Sequence, residues 1–260
     1  MKIPFLNRNK SLKLEVAFAS DVGLKRANNE DNGSAVSGKE SPEGTQGILI
    51  VADGMGGHDA GEVASAVAVE SLLRQLSTLN QDITMPQGGY SELLGNMLKK
   101  ANSEIREAGR ESGNHNMGTT CTAAVLSGNN LNIAHIGDSR AYLLRDENLH
   151  QLTSDHSLVA EMVAAGALTP EEAENHPRRN VITKALGIED TIEGEISSVE
   201  LMKKDLILIC SDGLHGLVHD EEITSILNEK NINKSCDQLI NKALEMGGND
   251  NVTIALGKVV

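Results

Sequence analysis

Two short, uninterrupted apolar runs stand out in the hydrophobic pattern of this chain. Residues 48–52 and 206–210 are shorter than a packing helix and contain no polar side chain, which predicts two buried β-strands. The first run leads into Asp53 and Gly54, and the second is followed within two residues by Asp212. An acid at the end of a rigid strand is held in a fixed position, so both aspartates are candidate site residues.

Apolar residues recur at three- and four-residue intervals in two other stretches, 61–79 and 94–108. This spacing is typical of one face of an amphipathic helix, and it predicts two helices that cover one face of a sheet. Two further helices are predicted over residues 221–229 and 235–246.

Shorter strands are predicted around these elements. They cover residues 16–19, 118–126, 131–136, 141–144 and 252–256. Glycine-containing segments at 37–45 and 128–130 favour hairpin connections. Asp138 follows the strand that ends at 136, and Asp250 precedes the strand that begins at 252. This repeated placement of acids at strand ends suggests that they share one site.

The donor atoms of these acids indicate the chemistry. If the strand ends converge, several like charges lie close together, which is costly unless cations neutralise them. Oxygen ligands without a His or Cys cluster select hard ions such as Mg²⁺ or Mn²⁺ over zinc. Glu30 and Asp31 form a further acidic pair in a turn-rich segment. The pattern therefore favours a site for two divalent ions.

Two such ions roughly 3.5–4 Å apart can share a water, lower its pKa and aim it at a phosphorus. The reaction that this favours is hydrolysis of a phosphomonoester. Glu30 and Asp31 are expected to hold ion-bound water, with a solvated turn as the alternative. Arg26 is expected to orient the phosphate, because its planar guanidinium suits two-point binding.

Composition narrows the range of partners. The chain of 260 residues has 23 Lys and Arg against 37 Asp and Glu, a net charge of −14, which disfavours nucleic acid and anionic membranes. It has no Trp and only two Tyr and two Phe, so few rings could stack on bases. The three cysteines show no C-x-x-C spacing, and no run of about 18 apolar residues occurs. A reduced, cytoplasmic setting and a monomeric state are expected.

Residues 1–12 are interpreted as a polar lead-in, and residues 13–260 as one domain. Within region 146–186, residues 155–186 have a polar helical pattern, with a proline-containing helix start at 169–172 and a basic spot at 176–180. A mobile flap that contacts substrate is one interpretation of this region, and a solvated connection is the other.

Six motifs occur in the order seen in one enzyme family. They are R-x-x-N-E-D at 26–31, V-A-D-G-M-G-G-H at 51–58, G-T-T at 118–120, G-D-S-R at 137–140, S-D-G-L at 211–214 and D-N-V-T at 250–253. The ordered set resembles the bacterial branch of the PPM family, also called type 2C serine/threonine phosphatases, over about 15–259. This resemblance implies an α+β fold, a four-layer α-β-β-α sandwich of two antiparallel β-sheets flanked by helices.

The same resemblance implies roles for the acids. Asp53 would bridge two Mn²⁺ or Mg²⁺ ions, Asp212 and Asp250 would complete one ion, and the Gly54 carbonyl would bind the other. Asp138 matches the acid that holds a third, weaker ion in bacterial members.

Three neighbours and one histidine complete the predicted site. Asp31 is assigned to the metal site. Glu30 and Asn251 are expected to support the ligands without binding the ions directly. His58 is a candidate proton donor to the leaving oxygen, with a polar turn residue as the alternative. Bacterial members carry a histidine a few residues after the Asp-Gly pair, as here, whereas eukaryotic relatives place it where this chain has Met55. The predicted catalytic residues are Arg26, Asp53 and His58.

The other chemically reactive side chains are expected to be structural. His135, His156 and His215 are interpreted as structural or surface residues. Cys121 and Cys210 lie in apolar strands and should pack as small hydrophobes, which disfavours a thiol-phosphatase mechanism.

The expected activity is metal-dependent hydrolysis of phosphoserine and phosphothreonine in proteins, by attack of a water that bridges two ions. The expected partners are phosphorylated proteins and a separate bacterial serine/threonine kinase, because no attached kinase or sensor is visible. Two alternatives stay open. One is a phosphoprotein-binding pseudophosphatase, which the presence of every metal-position acid disfavours. The other is a hydrolase of nucleotides or other small phosphoesters.

Overall fold

The structure of the protein, a computed structural model, describes residues 12–56, 60–78, 86–229 and 231–260. The predicted lead-in over residues 1–12 lies outside the described residues except for Leu12. His58 also lies outside them, so its predicted role stays a prediction.

Eleven strands within these residues form two sheets in which neighbouring strands are antiparallel. The first sheet contains β1 (Leu14–Asp21), β7 (Arg140–Arg145), β8 (Asn148–Gln151), β10 (Leu206–Cys210) and β11 (Val252–Val259), in the spatial order β1-β11-β10-β7-β8. The second sheet contains β2 (Asp31–Ser37), β3 (Gly47–Met55), β4 (Gly118–Thr119), β5 (Cys121–Ser127), β6 (Asn130–Ile136) and β9 (Glu195–Glu200). Its order is β2-β3-β5-β6-β9, and β4 pairs with the end of β3.

The helices connect the strands. They are α1 (Ala60–Ser77), α2 (Gly89–Ser112), α3 (Leu158–Ala164), α4 (Pro170–Glu174), α5 (Asp212–His215), α6 (Asp220–Leu227) and α7 (Ile232–Glu245), with a short 3₁₀ turn at Gly38–Glu40. Within the described part of the chain, none of these helices is both long and apolar enough to cross a lipid bilayer.

Alternation along the strands separates three apolar layers. Along β3, Ile48 and Ile50 pack with α1 and α2, whereas Leu49 and Val51 pack with the first sheet. On the other side of the first sheet, Leu208 packs with α6 and α7. The three layers confirm the implied four-layer α-β-β-α sandwich of two antiparallel sheets.

The predicted elements are present, with two kinds of difference. The strand predicted over residues 118–126 is interrupted at Thr120, so that prediction is wrong there. The Thr120 carbonyl accepts a hydrogen bond from Thr119 Oγ1 at 2.9 Å. The Asp53 N–H donates to the Thr120 hydroxyl and not to a backbone carbonyl of this strand. The strands β2, β8 and β9 are absent from the sequence prediction, and all three lie at sheet edges. Half-exposed edge strands give a weak apolar pattern.

Region 146–186 holds β8, α3 and α4, and neither of the two helices buries a residue. The segments that lead into and out of the two helices are hydrogen-bonded to each other. Leu158 N donates to the Val181 carbonyl at 2.8 Å, and Thr183 N donates to the His156 carbonyl at 2.8 Å.

Candidate metal centre

The five aspartates assigned to a metal site lie at one end of the sandwich. Asp31 and Asp53 stand directly opposite each other on β2 and β3. Asp212 follows β10 as the first residue of α5, and Asp250 comes just before β11, the strand that pairs with β10. Asp138 lies between β6 and β7. Strand β7 pairs with the edge of β10 that faces away from β11. The fold therefore brings together acids that come from both sheets.

Burial and mutual repulsion change the acidity of these carboxyl groups. Burial, followed by the charges of Asp31, Asp212, Asp138 and Asp250, raises the pKa of Asp53 well above its ordinary value. Burial is also the main cause that raises the pKa of Asp31 and of Asp138 to about 7 and that of Asp212 to about 6, and neighbouring carboxylates add to each. The cluster therefore holds more negative charge than its surroundings stabilise.

Three of the carboxylates also carry a buried oxygen without a partner. Within the described residues, Oδ1 of Asp31, Asp138 and Asp212 accepts no hydrogen bond. A buried unpaired polar atom costs about 1–3 kcal/mol, and more when it is charged. A cation among these oxygens would remove that cost. The cluster consists of carboxylate oxygens, the donors that Mg²⁺ and Mn²⁺ prefer, so its residues fit the predicted ions.

Hydroxyl groups hold the Asp31 carboxylate and the Asp53 backbone in place. Ser211 Oγ donates to Asp31 Oδ2 at 2.7 Å and accepts from Thr253 N at 2.9 Å. Thr120 Oγ1 accepts from Asp53 N at 2.9 Å. These supporting roles are not predicted from the sequence. The two hydroxyls nevertheless belong to two of the six sequence motifs, S-D-G-L and G-T-T.

A buried histidine and an ion pair support the turn that carries Asp138. His215 Nε2 donates to the backbone carbonyl of Asp138 at 3.0 Å. Burial lowers the pKa of His215 to about 3, so its ring is neutral, and this contact agrees with the predicted structural role. Two residues further on, Arg140 binds Asp155 through two nitrogens, at 2.7 and 2.9 Å.

Asn251 fastens the loop that leads from β1 to β2. Its Oδ1 accepts from Glu30 N at 2.8 Å, and its Nδ2 donates to the carbonyls of Val22 and Asn28, both at 2.9 Å. One buried side chain therefore holds the segment that carries the R-x-x-N-E-D motif. Its predicted place behind the metal ligands stays a prediction.

Replacing Asn251 should loosen this loop. Asn251→Ala removes three hydrogen bonds to backbone groups, and we expect it to lower the free energy of unfolding by roughly 2–4 kcal/mol. Thermal unfolding followed by circular dichroism measures the change. The exposed Asn249 nearby provides the matched control, because Asn249→Ala should leave the melting temperature almost unchanged. Equal effects of the two substitutions would contradict the fastening role.

Gly54 and Glu30 meet the start of α1 at close range. A Cβ atom at Gly54 would lie 2.1 Å from the Gly61 carbonyl oxygen and 2.6 Å from the Glu30 carbonyl oxygen, so no other residue fits there. A Cβ at Gly61 would lie 2.9 Å from the carboxyl carbon of Glu30. Cation binding by the Gly54 carbonyl stays a prediction.

Arg26 lies at the rim of the cluster. Its Nη2 is 2.6 Å from Oδ2 of Asp250, and 49% of its side chain is exposed. The guanidinium therefore balances part of the charge of Asp250 and keeps an exposed portion. Contact between Arg26 and a phosphate stays a prediction.

In a second group of possible ligands, one of the histidines has both ring nitrogens occupied. His135, His156 and Glu195 offer atoms within 4.8 Å of one another. However, Nδ1 of His135 bonds to Thr122 Oγ1 at 2.8 Å, and its Nε2 bonds to the Ser154 carbonyl at 3.1 Å. Both ring nitrogens of His135 are therefore used, which agrees with the structural role predicted for it.

Cys121 and Cys210 are fully buried in β5 and β10, as predicted. Burial raises the pKa of the Cys121 thiol to about 12 and also raises that of Cys210. Neither residue is suited to act as a nucleophilic thiolate.

A four-layer sandwich with a cluster of carboxylates at one end defines the class that the sequence resembles, the metal-dependent protein phosphatases. The chain belongs to this family, since the model of the protein phosphatase 2C family matches residues 27–253. The serine/threonine phosphatase stp of Listeria monocytogenes is 40% identical over 245 residues, which are 94% of this chain and 95% of that protein.

Solved structures agree with this assignment. Serine/threonine phosphatase Stp1 from Staphylococcus aureus superposes with a TM-score of 0.87 at 35% identity, over 98% of this chain and all of that one. The catalytic domain of serine/threonine protein phosphatase PstP, solved in complex with two manganese ions, has a TM-score of 0.82 at 39% identity, over 96% of this chain and all of that one.

Proposed function

We propose that this protein is a metal-dependent phosphatase that hydrolyses phosphoserine and phosphothreonine in proteins. The observation that carries the proposal is the set of buried, unpaired carboxylate oxygens on Asp31, Asp138 and Asp212 at one end of the sandwich. Family membership supports it, as do the two manganese ions in the related PstP structure.

The proposed ions are two Mn²⁺ or Mg²⁺. Asp53 would be shared by both ions, Asp212 and Asp250 would complete one, and the Gly54 carbonyl would bind the other. Asp138 would hold a third, weaker ion. When bound, the ions would supply a water of lowered pKa and offset the charge that develops on the phosphoryl group.

The protein's own residues hold the proposed metal ligands in place. Ser211 keeps the Asp31 carboxylate in one orientation, and Thr120 fixes the backbone of Asp53. Rigid ligands keep the site ready before substrate arrives, which lowers the cost of reorganisation. His58 is proposed as the proton donor to the leaving serine or threonine oxygen.

Arg26→Ala should mainly raise KM, because the guanidinium would contact the phosphate in both the ground state and the transition state. We expect an increase of about tenfold for a phosphothreonine peptide, the loss of one charge-assisted contact. Steady-state kinetics at saturating Mn²⁺ measures it. The exposed neighbour Lys25 gives the control, since Lys25→Ala should behave like the wild type. An unchanged KM in Arg26→Ala would remove Arg26 from the proposed phosphate contact.

Region 146–186 is proposed as a flap beside the site, and a separate serine/threonine kinase is proposed to supply the phosphorylated substrates. The substrate class is tested by comparing kcat/KM for a phosphothreonine peptide, free phosphothreonine and nucleoside monophosphates with Mn²⁺ present. A clear preference for the peptide supports a protein phosphatase. A preference for nucleotides would indicate a hydrolase of small phosphoesters.

A further inference from the structure

A cleft of about 370 Å³ opens beside the metal centre. We name it the flanking cleft, and it lies between the β3 and β6 ends and residues 182–193. Its buried lining residues, Ile136, Ala185 and Ile192, are all apolar. The charged lining residues are exposed and carry both signs: Lys184, Glu189 and Glu193.

Two residues that line the flanking cleft lie close in sequence to predicted ligands. Met55 lines it two residues after Asp53, and Ile136 lines it two residues before Asp138. Two residues of extended strand span about 7 Å. Adjacent residues of a bound peptide are about 3.8 Å apart, so residues close in sequence to a phosphoresidue at the metal centre can reach this cleft.

The wall of the flanking cleft is held firmly by buried hydrogen bonds. Asn102, which is 1% exposed, accepts from Gly187 N at 2.7 Å and donates to the Glu189 carbonyl at 2.9 Å. Leu186 exchanges two backbone hydrogen bonds with Thr119, at 2.9 and 3.1 Å. The wall is therefore anchored to α2 and to the strand that pairs with the end of β3.

Ile188 stands at the mouth of the flanking cleft. Its side chain is 48% exposed, and its Cδ1 lies 2.9 Å from the position of a Cβ at Gly118, the residue that pairs with Met55. Ile188 and Met55 thus add two apolar side chains to the lining on the side of the predicted ligands. The buried apolar floor, with Ile188 exposed above it, favours an uncharged, bulky side chain over a charged one at the bottom of the cleft.

We propose that the flanking cleft binds a large apolar side chain of the phosphoprotein substrate, within three residues of the phosphoserine or phosphothreonine. The inference rests on the proposed phosphatase function and adds a specificity determinant to it. Lys184, Glu189 and Glu193 at the rim carry charges of both signs, so shape and apolar contact in the floor would decide which peptides bind well.

The test uses phosphothreonine peptides with alanine flanks in which Leu, Lys or Glu is placed at one flanking position at a time. With Mn²⁺ present, Leu at one position should raise kcat/KM by about tenfold over Ala, the usual gain from filling an apolar pocket. In Ile188→Ser this preference should fall to about threefold or less. Hydrolysis of p-nitrophenyl phosphate, which has no flanking residues, should stay unchanged in Ile188→Ser.

Met202 provides the matched control. It is 52% exposed and lies before the start of β10, the end of that strand away from Asp212. Met202→Ser should keep the full preference for Leu.

Separate outcomes distinguish the two proposals. Equal rates for Leu and Ala at every position, a preference for Lys or Glu, or an unchanged preference for Leu in Ile188→Ser would overturn the flanking-cleft inference while p-nitrophenyl phosphate is still hydrolysed. Absence of phosphate release from every substrate would overturn the phosphatase function and this inference with it.

Discussion

Asp53→Asn is expected to abolish measurable turnover, a loss of more than about 1,000-fold in kcat/KM at saturating Mn²⁺. The substitution keeps the shape of the side chain and removes the charge that both ions would share. Asp212→Asn and Asp250→Asn should have the same effect, because each removes a proposed ligand. Phosphate release from a phosphothreonine peptide measures the loss.

These variants should remain folded, so the loss is separable from unfolding. Without metal, Asp53→Asn should be at least as stable as the wild type, because it removes a buried carboxyl group whose ionisation burial and four other aspartates oppose. Asp146→Asn is the matched control. Asp146 lies in the turn between β7 and β8 with a φ of 50°, a conformation that Asn tolerates as well as Asp does. Full activity in any of the three ligand variants would contradict the metal assignment.

Removal of metal should lower thermal stability at pH 8. An ion present at about a hundred times its Kd adds about 2.7 kcal/mol to the free energy of unfolding. In a protein of this size that corresponds to a rise of roughly 5–10 °C in the melting temperature when Mn²⁺ is added. Circular dichroism suits the measurement, because the chain has no Trp. Identical melting temperatures with Mn²⁺ and with EDTA at pH 8 would contradict a preformed cation site.

The metal-free protein should also lose stability as the pH rises from 6.5 to 8. The pKa of Asp31 and of Asp138 is about 7 in the folded state against an ordinary 3.8, so the folded state binds more protons than the unfolded state in this range. The stability that protonation supplies is therefore lost as the pH rises through 7. Asp31→Asn should show a smaller decline.

The comparison is confined to pH 6.5 and above because two buried histidines act in the opposite direction below it. Burial lowers the pKa of His135 to about 4 and that of His215 to about 3. Their unfolded forms gain protons as the pH falls below 6.5, which destabilises the fold. A metal-free melting temperature that rises between pH 6.5 and 8 would contradict the effect expected of the buried carboxylates.

The central strands are predictable from sequence because they are buried on both faces. Leu206–Cys210 has the predicted bounds, since every residue in it is apolar. The edge strands Asp31–Ser37 and Glu195–Glu200 are not predicted. Each pairs with a neighbouring strand on one side only, and each contains too few apolar residues to give a strand pattern. Pairing with β3 and β6, and not local propensity, makes these segments extended.

Asp53, Asp138, Asp212 and Asp250 are predictable because each lies beside the end of an apolar strand with a glycine close by. Their convergence requires the stacking of the two sheets, which only the family resemblance implied. The contacts between Asn251 and Glu30, and between Ser211 and Asp31, join residues 221 and 180 positions apart. No local pattern reports a side-chain contact across such a separation.

The most direct test of the central claim is phosphate release from a phosphothreonine peptide by the purified protein with Mn²⁺, with Mg²⁺ and with excess EDTA, using Asp212→Asn in parallel. If the carboxylates hold two catalytic ions, we expect phosphate release with either metal, no release with EDTA and no release by the variant. Release that persists in EDTA, or in folded Asp212→Asn, would contradict the proposed metal chemistry. No release with any metal from folded wild-type protein would instead favour a phosphoprotein-binding pseudophosphatase.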